Sequence, residues 1–132
     1  MKYKLRLDLT KQFLGRTLFR IEAAISIEKY GVRKGELGGY IEKENNLSQD
    51  GNAWIYGDAQ IYGDAQIYGD AQISGDAQIS GNARIYGDAQ ISGNAWIYGD
   101  AQISGNARIS GDAQISGDAQ ISGNARIYGD AQ

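Results

Sequence analysis

Apolar and polar residues alternate along this chain in two rhythms. From Gly51 to Gln132 the order Gly, Asp or Asn, Ala, a variable residue, Ile, then Tyr or Ser recurs every six residues. Thirteen full copies end at Tyr128, and Gly129 begins another. No Gly, Ala or Ile position is broken across those 82 residues, so chance and compositional bias are both excluded. Ala and Ile stand two apart, which in an extended segment puts both on one face and sends the intervening Gln, Arg or Trp to the other. The following Gly tolerates the positive φ of a sharp bend, and the Asp or Asn after it can hydrogen-bond local backbone at a corner. Each hexad therefore predicts a short strand plus a corner. Such a strand cannot bury its apolar face alone, so successive strands must wind into a coil that collects the Ala and Ile side chains.

The first fifty residues keep the two-residue rhythm of ordinary strands. Tyr3, Leu5, Leu7 and Leu9 alternate with Lys4, Arg6 and Asp8; Phe19, Ile21, Ala23, Ile25 and Ile27 stand opposite Arg20, Glu22, Ser26 and Glu28. Both runs predict half-buried strands joined by a turn near Gly15. A lone hairpin is marginal and needs something to cover, and the open first coil of a solenoid is the obvious candidate. The chain thus divides into a capping region, residues 1–50, and a repeat region, residues 51–132. Gly39 lies twelve residues before Gly51, with Ile41 and Leu47 in Ala positions, so residues 39–50 read as two degenerate hexads. Trp54, Tyr56, Tyr62 and Tyr68 form an aromatic collar beside them, the expected docking surface for the hairpin.

The segment Ala59-Gln60-Ile61-Tyr62-Gly63-Asp64 resembles the hexapeptide repeat of left-handed parallel β-helices, best known from an acyltransferase superfamily. That resemblance implies an all-β triangular solenoid of 18 residues per turn, about 4.5 turns over residues 51–132, with the hairpin as N-terminal cap. The left hand comes from the resemblance alone, since general crossover rules favour the right. The run from Gly35 to Ser48 resembles the N-terminal region of short bacterial and prophage-type hexapeptide proteins, a likeness that implies no particular activity.

Composition narrows the chemistry. The 132 residues contain no His and no Cys, which excludes Ser-His and Cys-His nucleophile pairs, His-ligated zinc and iron-sulfur clusters. The acyltransferases that the repeat resembles use a His base and often an additional loop; carbonic anhydrases on the same coil use three His. Neither feature is present, so a degenerate acyltransferase-like protein would be without activity, and no cofactor is expected. The head carries a net charge of +3 and the repeat a net charge of −6. An acidic prism repels phosphate backbones, and no run suits a bilayer or a secretory leader, so neither nucleic acid nor membrane is an expected partner and the expected location is cytoplasmic.

Carboxylates are the remaining resource. An 18-residue turn stacks Asp58 with Asp76, Asp70 with Asp88, Asp100 with Asp118, and Asp112 with Asp130, which are weak cation candidates at most. Asp always precedes Ala-Gln, whereas Asn always precedes Ala-Arg or Ala-Trp, a coupling that points to copying of whole modules, natural or engineered. The expected function is a non-catalytic structural module that self-associates through its uncapped C-terminal end, at Ile115, Ile121, Ile127, Tyr128 and Gln132. A tail-to-tail homodimer or longer stack competes there with a side-by-side trimer. The alternative is a binding module presenting Trp96, Tyr98 and Tyr62 to a glycan or surface polymer.

Overall fold

The computed structural model describes residues 1–127. Strands β1 (Tyr3–Phe13) and β2 (Arg16–Ala23) form an antiparallel hairpin around a two-residue turn, Leu14-Gly15, with φ of 51° and 75°. Two positive φ values match the turn to the twist of the strands. The β1 alternation does not survive intact. Its register shifts between Arg6 and Thr10, so Tyr3 is fully buried while Leu7 is 74% exposed. A bulge of this kind re-aims the side chains beyond it, which corrects the expectation of one continuous Tyr3-to-Leu9 face. β2 stops at Ala23, leaving Ile25 exposed on the loop; Ile27 is buried through a bridge to Val32.

After a single 3-10 turn at Glu28–Tyr30, β3 (Leu37–Ile41) pairs antiparallel with β2 on one side and parallel with the first wall of the solenoid on the other. Two glycines permit this approach. A Cβ on Gly38 would stand 2.5 Å from the Ile55 carbonyl oxygen, and one on Gly39 would stand 2.4 Å from Ile55 Cγ2. The hairpin therefore continues one wall as a sheet.

From β4 (Trp54–Ile55) to β16 (Arg126–Ile127) a two-residue strand occurs every six residues. Each strand pairs in parallel with the one three places on, giving sheets in the order β1-β2-β3-β5-β8-β11-β14, β16-β13-β10-β7-β4 and β15-β12-β9-β6. The result is an all-β solenoid of about five coils with 18-residue spacing. Ile61, Ile79, Ile97 and Ile115 stack in one column, and every Ala and Ile of the repeat from Ala53 to Ala113 is at most 1% exposed. No α-helix occurs among the described residues, and no helix is long and apolar enough to cross a membrane.

The first coil is longer than the rest. Ile41 pairs with Ile61 and Leu47 bridges Ile67, each twenty residues apart, because Gln49 and Asp50 enlarge one corner. Ile41 and Leu47 therefore occupy Ile positions of the core, not the Ala positions that counting back in sixes suggests.

Corners set the tightest tolerance. Gly81 has φ 68°, and a Cβ there would lie 2.7 Å from the Gly99 backbone nitrogen. Gly117 has φ 66° but nothing within 4 Å of such a Cβ. Gly117→Ala should therefore lose only the conformational term, about 1–2 kcal/mol. Gly81→Ala should lose more, because the neighbouring coil must also move. Urea unfolding of the two variants measures the difference directly; equal losses would show that the corners do not constrain coil spacing.

Candidate functional site

Backbone bonding makes the two ends of the solenoid unlike. Outside the two-residue strands, every bond between coils runs from an N–H of one coil to a carbonyl of the next, as in Asp76 N to Gly93 O, Gln78 N to Ala95 O and Ser80 N to Ile97 O, each 2.9 Å. At the N-terminal end this leaves carbonyls that must find other donors, since an unpaired buried acceptor is costly. The head supplies them. Lys2 Nζ donates to Ala53 O at 2.8 Å, and the Tyr3 hydroxyl donates to Leu47 O. Asn46 Nδ2 donates to Ala65 O at 2.9 Å and Gly63 O at 3.2 Å. The enlarged corner closes the clasp: Gln49 Oε1 accepts from the N–H groups of Lys2 and Tyr3, and its Nε2 donates back to Tyr3 O.

Lys2, Tyr3 and Asn46 are themselves buried, and burial decides the ionisation of the first two. Desolvation lowers the Lys2 pKa from its usual 10.5 to about 8, against partial compensation from Asp50 and Asp70. Burial pushes the Tyr3 phenol well above its usual value, with Glu44 acting in the same direction.

Charge complementarity joins head to coils. Lys29 Nζ lies 3.0 Å from Asp70 and 3.9 Å from Asp88, spanning one of the stacked pairs that the repeat predicts. Arg20 reaches Asp58 at 3.2 Å and Lys43 reaches Asp64 at 2.8 Å. Lys29 holds the Asp70 carboxyl below its ordinary pKa, and Lys43 does the same for Asp64. Further along, corner amides act between coils: Asn82 Nδ2 donates to Asp100 at 3.1 Å and Asn94 Nδ2 to Asp112 at 3.2 Å. Asp76 and Asp118 carry no ion pair among the described residues, which also contain no cluster of three metal-ligating groups; Asp130 lies outside them.

The aromatic collar divides. Trp54 is fully buried in one cluster with Ile27 and Val32, and Tyr56 packs on its edge with Tyr30. Tyr62 sits edge-on to Phe13 at 5.7 Å with the Arg16 guanidinium over its ring at 5.4 Å. Tyr68 instead stacks on Tyr86, 4.9 Å apart and 6° from parallel. Burial under the hairpin tip removes Tyr62 from the exposed aromatic face expected for a ligand. Trp96 and Tyr98 remain on that face, 42% and 37% exposed, with ring centroids 5.5 Å apart.

At the other end, core exposure rises. Ile115 is 6% exposed, while Ala119, Ile121 and Ile127 are only half-buried around a cavity of about 220 Å³ also lined by Gln114 and Ser116. Tyr128 and Gln132, named with them in the self-association surface, lie outside the described residues. Sequence reasoning missed Lys2, Asn46 and Gln49 and gave Tyr3 only its place on a half-buried strand; the signal was present only as two residues too many between Leu47 and Ile55.

Comparison with known families places part of the repeat beside a described family. The family described as YdcK Beta solenoid repeat matches residues 77–89, 89–101, 101–117 and 119–132. Residues 77–132 are similar to that repeat, and the chain folds as a β-solenoid of six-residue repeats. No curated protein matches it.

For this solenoid the clasp makes head docking pH-dependent. An undocked Lys2 stays protonated up to about its usual 10.5, whereas the docked one releases its proton near 8. Stability is therefore lowest below about pH 8 and rises from there towards pH 10.5, because the unfolded state binds more protons across that window. Above pH 10 the unfolded Tyr3 phenol ionises while the docked one does not, which lowers stability again. Urea unfolding from pH 7 to 11 should show this maximum, and Lys2→Met should remove its rising limb.

Proposed function

We propose that the chain is a rigid, cytoplasmic, non-catalytic assembly module that self-associates through its C-terminal end. The observation that carries this reading is the graded exposure of the core. Ala and Ile side chains sealed at 1% or less from Ala53 to Ala113, more than three coils, become half-buried at Ala119, Ile121 and Ile127 around an apolar opening. The N–H groups of Gln120, Ser122, Asn124 and Arg126 add donors with no ladder acceptor among the described residues. A second copy laid tail to tail covers the opening by apolar burial, with the rim N–H groups still hydrated. The N-terminal end is already occupied by its clasp, which disfavours a head-to-tail stack. A chain without His or Cys lacks the usual proton shuttle and nucleophile near neutral pH, which supports the non-catalytic part of the reading.

Sedimentation of the intact chain should give a dimer. Ile121→Lys with Ile127→Lys should give a monomer with unchanged circular dichroism. A mass unaffected by the pair of substitutions, or a trimer, overturns the tail contact.

One observation favours a second reading, a glycan-binding face. Trp96 and Tyr98 are both exposed on the seven-stranded wall, with centroids 5.5 Å apart and ring planes 54° apart, and an exposed aromatic pair offers apolar faces on which a sugar ring can stack. Binding on a glycan array should be lost in Trp96→Ala while assembly persists. Retention of any such binding in that variant would remove the ring pair from consideration.

A further inference from the structure

On the five-stranded wall the outward position between Ala and Ile carries Gln72 and Gln90 on successive coils, then Arg108 and Arg126. The two arginines are register partners on adjacent rungs, spaced by about 4.8 Å. Both are exposed, and no carboxylate among the described residues pairs with either. Like charges directly opposite one another on neighbouring strands are destabilising, and the two guanidiniums meet no neutralising partner among the described residues.

The corner beside them explains why. At the position where most hexads place Asp, these two place Asn106 and Asn124, and Asn106 Nδ2 donates to Asn124 Oδ1 at 3.2 Å. That bond leaves the Asn124 amide nitrogen as a donor with no acceptor among the described residues. Arg108, Arg126, Asn106 and Asn124 together line an open cavity of about 540 Å³. Two planar forks of charged donors and a neutral amide, with no carboxylate among the residues lining the cavity, form a donor-rich patch on an otherwise acidic prism.

Among the described residues, the nearest corner acids already have partners. Asp88, one coil below Asn106, is within 3.9 Å of Lys29, and Asp112, at the opposite corner, accepts from Asn94. The repulsion of the remaining acids is screened beyond about 8 Å at physiological ionic strength. Arginine forks match the oxygen spacing of phosphate and sulfate groups, and bonds between ions are stronger than neutral ones.

We propose that the Arg108–Arg126 ladder is a binding site for a tetrahedral oxyanion, a phosphate or sulfate group, bridged between the two guanidiniums. The group is either a free ion or an ester carried on a saccharide. The site lies on a different wall from Trp96 and Tyr98 and does not depend on self-association.

The test uses the intact chain and follows amide and arginine Nε resonances during titration with inorganic phosphate and, separately, with a sulfated disaccharide. Gln is the native occupant of this column at positions 72 and 90, so Arg108→Gln and Arg126→Gln preserve the fold, which thermal unfolding verifies. At least one probe should saturate with a dissociation constant on the order of 1 mM. Each single variant should weaken it about tenfold, the double variant should abolish it, and salt should weaken it in the wild type. Tighter binding of the disaccharide identifies an ester group as the ligand, and equal or tighter binding of phosphate identifies the free ion. Absence of saturation by both probes, or equal binding by the double variant, overturns the proposal.

Discussion

Corner and flank amides donate in one direction from each coil to the next, and the rest of the molecule follows from that direction. A stack built this way ends in carbonyls at its start and in N–H groups at its other limit. The first end therefore needs donors, and the residues that close it are an ammonium, a phenol and two side-chain amides, of Lys2, Tyr3, Asn46 and Gln49. A hydrophobic plug alone would cover the isoleucines and leave the acceptors unmet. This is why a lysine is drawn into the interior at a cost to its own protonation: three carbonyl-seeking protons on a flexible stem reach where a backbone strand cannot.

The same closure is reinforced by charge. The head is net positive and the repeat net negative, and the contacts show how that difference is used. Lys29 lies across a vertical pair of carboxylates that would otherwise repel, while Arg20 and Lys43 each take one acid of the first coils. Exposed pairs of this kind contribute little singly. Their value here is geometric, since three cations placed by the hairpin and its two loops meet acids at three different corners and fix the head's rotation about the solenoid axis.

How much of this was legible depended on whether a constraint acts within one hexad or between segments. Ala and Ile two apart, with Gly at the bend, are local, and they gave the solenoid, its 18-residue spacing and the sealed columns. Stacked pairs such as Tyr68 with Tyr86 and Asp70 with Asp88 follow from the spacing alone. The failures are all non-local. The bulge in β1 turns Leu7 outward because the strand must pair with β2 and still deliver Tyr3 to the core. Phe13 and Arg16 bury Tyr62 because the hairpin tip overhangs that wall, which no hexad encodes. The additional Gln49 and Asp50 look like a lapse in the repeat until the strand they grip is seen beside them.

The coupling of Asn with Arg or Trp, and of Asp with Gln, reads in sequence as copied modules; in three dimensions it separates two kinds of corner. An Asn offers an amide proton to the corner above, to Asp100 from Asn82, to Asp112 from Asn94 and to Asn124 from Asn106. An Asp accepts such a proton and can donate none while ionised. Columns of Asp alone would have no bonds between corners and a vertical line of like charge, and columns of Asn alone would have no charge to hold the basic head. Mixing the two lets the first coils attract the head through Asp58, Asp64 and Asp70, while later coils tie their corners together through Asn. Where Asn follows Asn, at 106 and 124, that corner of the wall carries no carboxylate over two rungs, and those are the rungs that carry adjacent arginines.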